Sequence, residues 1–171
     1  IFRRFHDALE PLRLNEKLGG ILMQLPPYIV FKPSSLEYLE WAQEQLGGDE
    51  MLVEFRHVSW LDAENRVETL AFLERNHMSY VIVDAPRTEA RNVSPTVVAT
   101  TTPTAYVRFH GRNAATWNKR TRSAAERFDY LYSEEELGEW AEPLSELSGQ
   151  SVQVFAMFNN NGRSTVDGSS I

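Results

Sequence analysis

Short runs rich in β-branched and aromatic residues alternate with stretches whose apolar positions recur every three to four residues. The first run, Gly20–Leu25, is stopped by Pro26-Pro27, which cannot donate to a ladder. Ser34 followed by Glu37 reads as a capping box for a helix whose face is Leu36, Leu39, Ala42 and Leu46. Gly47-Gly48 ends that helix in a left-handed cap. A second strand covers Met51–Phe55. A helix from about Asp62 to Arg75 follows, with Val67, Leu70, Ala71 and Leu73 turned inward. Ser79–Val83 is a third strand, ended by Asp84-Ala85-Pro86. The Thr/Pro-rich stretch from Arg87 to Thr104 has no period and reads as a long loop. Ala105–Phe109 is the fourth strand. Ser133 and Glu136 form a second capping box, opening a helix with Leu137, Trp140, Ala141, Leu144 and Leu147 on its face and Pro143 as a kink. Val152–Phe158 is the fifth strand.

Strands alternating with helices imply parallel pairing through right-handed crossovers, hence an α/β protein. Five strands in 171 residues is about 34 residues per unit, close to the spacing of a TIM-type (β/α) barrel of roughly 250 residues. Five of eight units would then be present. An open, doubly wound five-stranded sheet fits the same arithmetic. No linker or repeat divides the chain, so residues 1–171 are expected to form a single domain, the C-terminal portion of a longer barrel. The start at Ile1, in what reads as mid-helix, also points to a piece of a longer protein.

Composition adds exclusions. A net charge of −7 argues against duplex-DNA binding through bulk charge. With no cysteine there is no thiolate nucleophile or ligand. No apolar run approaches the ~20 residues of a membrane span, and the first residues are too polar for a signal peptide. A cytoplasmic protein without a membrane partner is expected.

Several motifs stand in a fixed order: Lys17-Leu18-Gly19, Gln24-Leu25-Pro26-Pro27, Val53-Glu54-Phe55-Arg56-His57 with Ser59-Trp60, Val83-Asp84-Ala85-Pro86, Tyr106–Arg112, Tyr130–Leu137 and Phe158-Asn159-Asn160. Together they resemble the YecE-like family of unknown function (domain of unknown function 72). The resemblance implies an eight-stranded TIM-type barrel, of which this chain would hold strands four to eight. It brings no established reaction, and the cofactor stays unknown. After Asn160 the chain departs from the family's pattern, with a tail that does not read as helical.

In α/β proteins ligands bind at the carboxyl ends of parallel strands. Here those ends carry Gln24; Glu54, Arg56 and His57; Asp84; Arg108, His110 and Arg112; Asn159 and Asn160. The period of two puts Glu54 with Arg56, and Arg108 with His110, on one face, leaving Val53, Phe55, Val107 and Phe109 for the helices. Arg forks suit phosphate or carboxylate oxygens, so Arg56, Arg108 and Arg112 are candidate anion-binding residues, with Gln24, His57, Trp60, Asn159 and Asn160 lining the same mouth. Glu54 and His110 are candidate acid/base groups, with Asp84 orienting one of them. The favoured function is an enzyme-like barrel taking a small anionic ligand, phosphorylated ones included.

Other readings stay open. The same charges would serve as an internal ion-pair network. Glu54, His57, Asp84 and His110 offer donors for a divalent ion in a metal-dependent hydrolase or isomerase, although Arg56 and Arg108 would repel a cation there; no metal ligand is assigned. Lys119, Arg120, Arg122 and Arg127 around Trp117 make residues 113–127 a candidate single-stranded nucleic-acid surface in a non-catalytic binding module.

Overall fold

The computed structural model describes residues 2–86, 90–117 and 129–159. In chain order the elements are α1 (Phe2–Leu14), β1 (Ile21–Gln24), α2 (Pro33–Gln45), β2 (Met51–Glu54), a 3-10 turn (Val58–Trp60), α3 (Arg66–Arg75), β3 (Ser79–Asp84), β4 (Thr104–Phe109), the short α4 (Ala114–Trp117), α5 (Glu134–Gly138), α6 (Ala141–Gln150) and β5 (Gln153–Phe158). All five expected strands form. They make one sheet in the order β1-β2-β3-β4-β5, and every neighbouring pair is parallel.

That sequential order has no point where the direction of travel reverses, unlike a doubly wound sheet. Right-handed crossovers that always step the same way place their helices on one face. The main core agrees. Leu39, Ala42 and Leu46 from the α2 region, Phe72 and Leu73 of α3, and Leu147 of α6 pack with Met51, Val53, Tyr80, Ile82, Ala105, Val107 and Phe109 of the sheet. The opposite face holds a smaller cluster of Leu52, Val81, Val83, Ala85 and Trp117.

The sheet is curled toward this second face. Four strand spacings in a flat sheet would separate β1 from β5 by roughly 19 Å, far beyond the reach of a phenylalanine. Yet a Cβ added to Gly19, just ahead of β1, would lie 3.6 Å from the ring of Phe155 on β5. The face carrying Leu52, Glu54, Arg108 and Phe155 is therefore concave.

Several local expectations are corrected. The α2 helix starts at Pro33 with Lys32 as its N-cap, and Ser34 makes no capping bond. Proline at the first helical position is pre-set for the helix and lacks only an N–H that would be orphaned anyway, so it wins over the Ser34 box. Gly47 does take the left-handed conformation expected of it, at φ 64°. Helix α3 is shorter than expected, and its buried face is Thr69, Phe72 and Leu73, with Val67 74% exposed. The helix expected from Ser133 is two helices, α5 and α6. Pro143 falls in the first turn of α6, where it interrupts no hydrogen bond. The Ser133–Glu136 box forms with both of its reciprocal bonds. Among the described residues no helix is long and apolar enough to cross a membrane.

Candidate functional site

The concave face ends in a charge cluster built on Glu54, the last residue of β2. Alternation along β2 places Leu52 and Glu54 on the concave side, and Glu54 is fully buried there. A bare buried carboxylate is costly, so it must be paired. It is met by three groups. Arg56 Nε lies 2.5 Å from Oε1. Arg108 Nη1, from β4, pairs with Oε2. His110 Nε2 lies 3.1 Å from Oε1. The amide oxygen of Gln24, at the end of β1, accepts from Arg56 Nη2 at 3.0 Å and from Arg108 Nη1 at 3.2 Å. Asn159, just after β5, brings its Nδ2 to 3.0 Å from His110 Nδ1. Its backbone N–H donates to Phe109 O and so extends the β4–β5 ladder.

Burial alone would raise the Glu54 pKa. The His110 hydrogen bond and the Arg56 and Arg108 charges outweigh it, holding the carboxyl at about 2. His110 goes the other way: burial lowers its pKa despite the hydrogen bond to Glu54, so the imidazole is neutral near pH 7. An ionised Glu54 only accepts, which fixes the proton on His110 Nε2 and leaves Nδ1 to accept from the Asn159 amide. Among these described contacts, two guanidinium charges face one carboxylate. The Arg56 and Arg108 side chains keep 14% and 12% exposure, whereas Glu54 between them has none. Trp117 belongs to the apolar cluster of the concave face, its ring centre 6.5 Å from that of His110.

The remaining candidates do not all join this cluster. Asp84 sits at the end of β3 with Tyr80 and Ile82 on the helix side, in register with Phe109. Its carboxylate takes a forked pair of bonds from Arg112, at 3.0 Å from Nη2 and 3.1 Å from Nε to one oxygen, and a 2.6 Å bond from the Tyr132 hydroxyl to the other. Arg112 Nη1 also donates to Glu139 at 2.9 Å. Asp84 and Arg112 thus form a second cluster on the other side of the sheet, beside a cavity of about 380 Å³ shared with Glu139 and Trp140. The expected role of Asp84 in orienting Glu54 or His110 shrinks to a backbone link, its carbonyl accepting the His110 N–H at 2.9 Å.

His57 caps the 3-10 turn, its Nδ1 accepting from the Ser59 N–H at 3.1 Å; burial and the nearby Arg91 charge lower its pKa. Trp60 is a correction. It is fully buried, stacked on Phe55 at 4.4 Å with its indole N–H on Ile29 O, and has no free face for a ligand. Asn160 and the basic residues Lys119 to Arg127 lie outside the described residues. No group of three or more His, Asp or Glu that could hold a metal occurs among the described residues. Tyr132 was missed by the sequence reading. Its hydroxyl also accepts the Gly111 N–H at 3.0 Å, tying the strand-end glycine to Asp84.

A singly wound parallel sheet with charged side chains gathered at its strand ends defines an α/β protein with a strand-end charge cluster. Within that class, the chain belongs to the DUF72 family, described as protein of unknown function DUF72, whose model matches residues 1–167. The match runs into the tail that had seemed to depart from the family. The UPF0759 protein YunF of Bacillus subtilis (strain 168) is 33% identical over 166 residues, an alignment covering 94% of this chain and 58% of that protein. A solved DUF72 family protein of Thermotoga maritima superposes with a TM-score of 0.83 at 38% identity, covering 94% of this chain and 59% of that one. A DUF72 family protein of Enterococcus faecalis superposes at 0.87 with 28% identity, covering 94% and 58%. The chain thus spans less than two thirds of the length of these relatives.

Proposed function

We propose that this chain is the last five of the eight units of a TIM-type barrel, strands four to eight, and that it binds a small anionic ligand at the carboxyl ends of its strands. The uninterrupted strand order, the curl of the sheet and the greater length of the relatives support the barrel. The observation that carries the anion reading is the convergence of Arg56 and Arg108 on a single buried carboxylate, with both arginine side chains still partly exposed. Glu54 then acts as an anchor that aims the two guanidinium groups. A carboxyl held at about 2 is a weak proton acceptor near neutral pH. His110, neutral and fixed in one tautomer, is fully buried with both ring nitrogens engaged, so it steadies Glu54 from behind the two arginines. A cysteine-free chain is compatible with the reducing cytosol, the compartment this reading assigns.

The test is calorimetric titration of the full-length protein with inorganic phosphate and with small phosphorylated and carboxylated metabolites. Arg108→Ala is expected to weaken binding by at least about tenfold, the effect of losing one charge-assisted hydrogen bond. Anion binding that Arg108→Ala leaves unchanged would refute the proposed mouth.

A further inference from the structure

We infer that Gln24 is a displaceable internal stand-in for the ligand's anionic oxygen, and that its Oε1 marks where that oxygen binds; this rests on the anion reading of the mouth. A guanidinium has donors and no acceptor, so the atom facing Arg56 Nη2 and Arg108 Nη1 must be the amide oxygen of Gln24. That oxygen lies at the focus of two positively charged forks from different strands. Its 3.0 and 3.2 Å contacts are longer than the ~2.7–2.9 Å of a guanidinium with an anionic oxygen. Glu54 holds the same two arginines from the buried side, so both remain aimed at this point when the amide leaves.

Three properties of Gln24 make it replaceable. It is the last residue of β1 and exposed, so its side chain can swing into water without opening the core. It is neutral, so it satisfies the two donors without bringing a charge of its own. It is long and flexible, and regains rotamer freedom when released. A carboxylate or phosphate oxygen adds Coulomb attraction to the same two bonds and displaces it. The ligand class is therefore an oxyanion that projects one oxygen between Arg56 and Arg108. Gln24 raises the threshold for binding weak or neutral competitors.

The experiment is calorimetric titration of the full-length protein with inorganic phosphate, using wild type, Gln24→Ala, Gln24→Glu and Arg108→Ala, with melting temperature recorded for each. If Gln24 competes, Gln24→Ala binds phosphate about fivefold more tightly, equivalent to the ~1 kcal/mol of one net hydrogen bond. Gln24→Glu supplies a tethered anion and abolishes binding while raising the melting temperature. Equal or weaker binding by Gln24→Ala, with Arg108→Ala still abolishing it, would overturn the stand-in role and leave the anion mouth intact. Phosphate binding insensitive to Arg108→Ala, or absent from both wild type and Gln24→Ala, would overturn both.

Discussion

Replacing Glu54 by Gln keeps the shape of the side chain and removes the charge that three neighbours converge on. Holding a carboxyl at about 2 in the folded chain, against an ordinary 4.5, corresponds to ~3 kcal/mol of stability at neutral pH. The cost of breaking a buried ion pair, ~3–5 kcal/mol, gives the same range. The sign follows from the depressed pKa. The contribution is complete above pH 4.5 and is lost as pH falls toward 2. Urea unfolding of wild type and Glu54→Gln at pH 7 and pH 3 separates the charge from packing. The difference is expected to shrink from ~3 kcal/mol at pH 7 to ~1 kcal/mol at pH 3. A difference that stays constant over that range would show that the ionised carboxylate contributes nothing, and the cluster would have to be explained by shape alone.

Two further tests address the rest of the strand ends. Gly111 adopts φ 83°, and a Cβ there would lie 2.6 Å from Tyr130 Cβ, so Gly111→Ala is expected to destabilise by at least ~1–3 kcal/mol; a melting curve matching wild type would refute the crowding. Nitrogen-15 NMR of the His110 ring should report the Nε2-protonated neutral tautomer at neutral pH and a titration midpoint below the ordinary 6.5. Because the folded pKa is lowered, this residue favours the folded state above its ordinary pKa and opposes it as pH falls below; a midpoint above 6.5 would contradict that.

The five strands were legible because β-branched and aromatic runs lie between clear punctuation such as Pro26-Pro27 and Pro86. The assembly of Gln24, Glu54, Arg56, Arg108, His110 and Asn159 was legible because two alternations, on β2 and β4, set polar against apolar positions. Alternation failed on β3, where all six residues are buried and both faces are apolar. Asp84 therefore seemed to belong to the common mouth, although the parity of Tyr80 and Ile82 would have sent it to the helix side. Trp60 misled for a related reason. A tryptophan beside polar strand-end residues looks like a ligand platform, but Phe55 and Ile29 had already claimed its ring and its N–H. On α3, Val67 stood out as apolar, whereas tertiary packing selected the face containing Thr69.

Gln24 and Arg108 bond across 84 positions of sequence, and Asn159 lies further along still. The mouth therefore has no local precursor. A chain grown through β3 but not yet through β4 would own Glu54 without the arginine from β4 or the imidazole that follows it, and would have to bury a carboxylate half unpartnered. Completion of the arc and neutralisation of that charge become one event, which makes occupancy of the mouth a readout of folding and gives any oxyanion that binds there leverage over the stability of the entire arc.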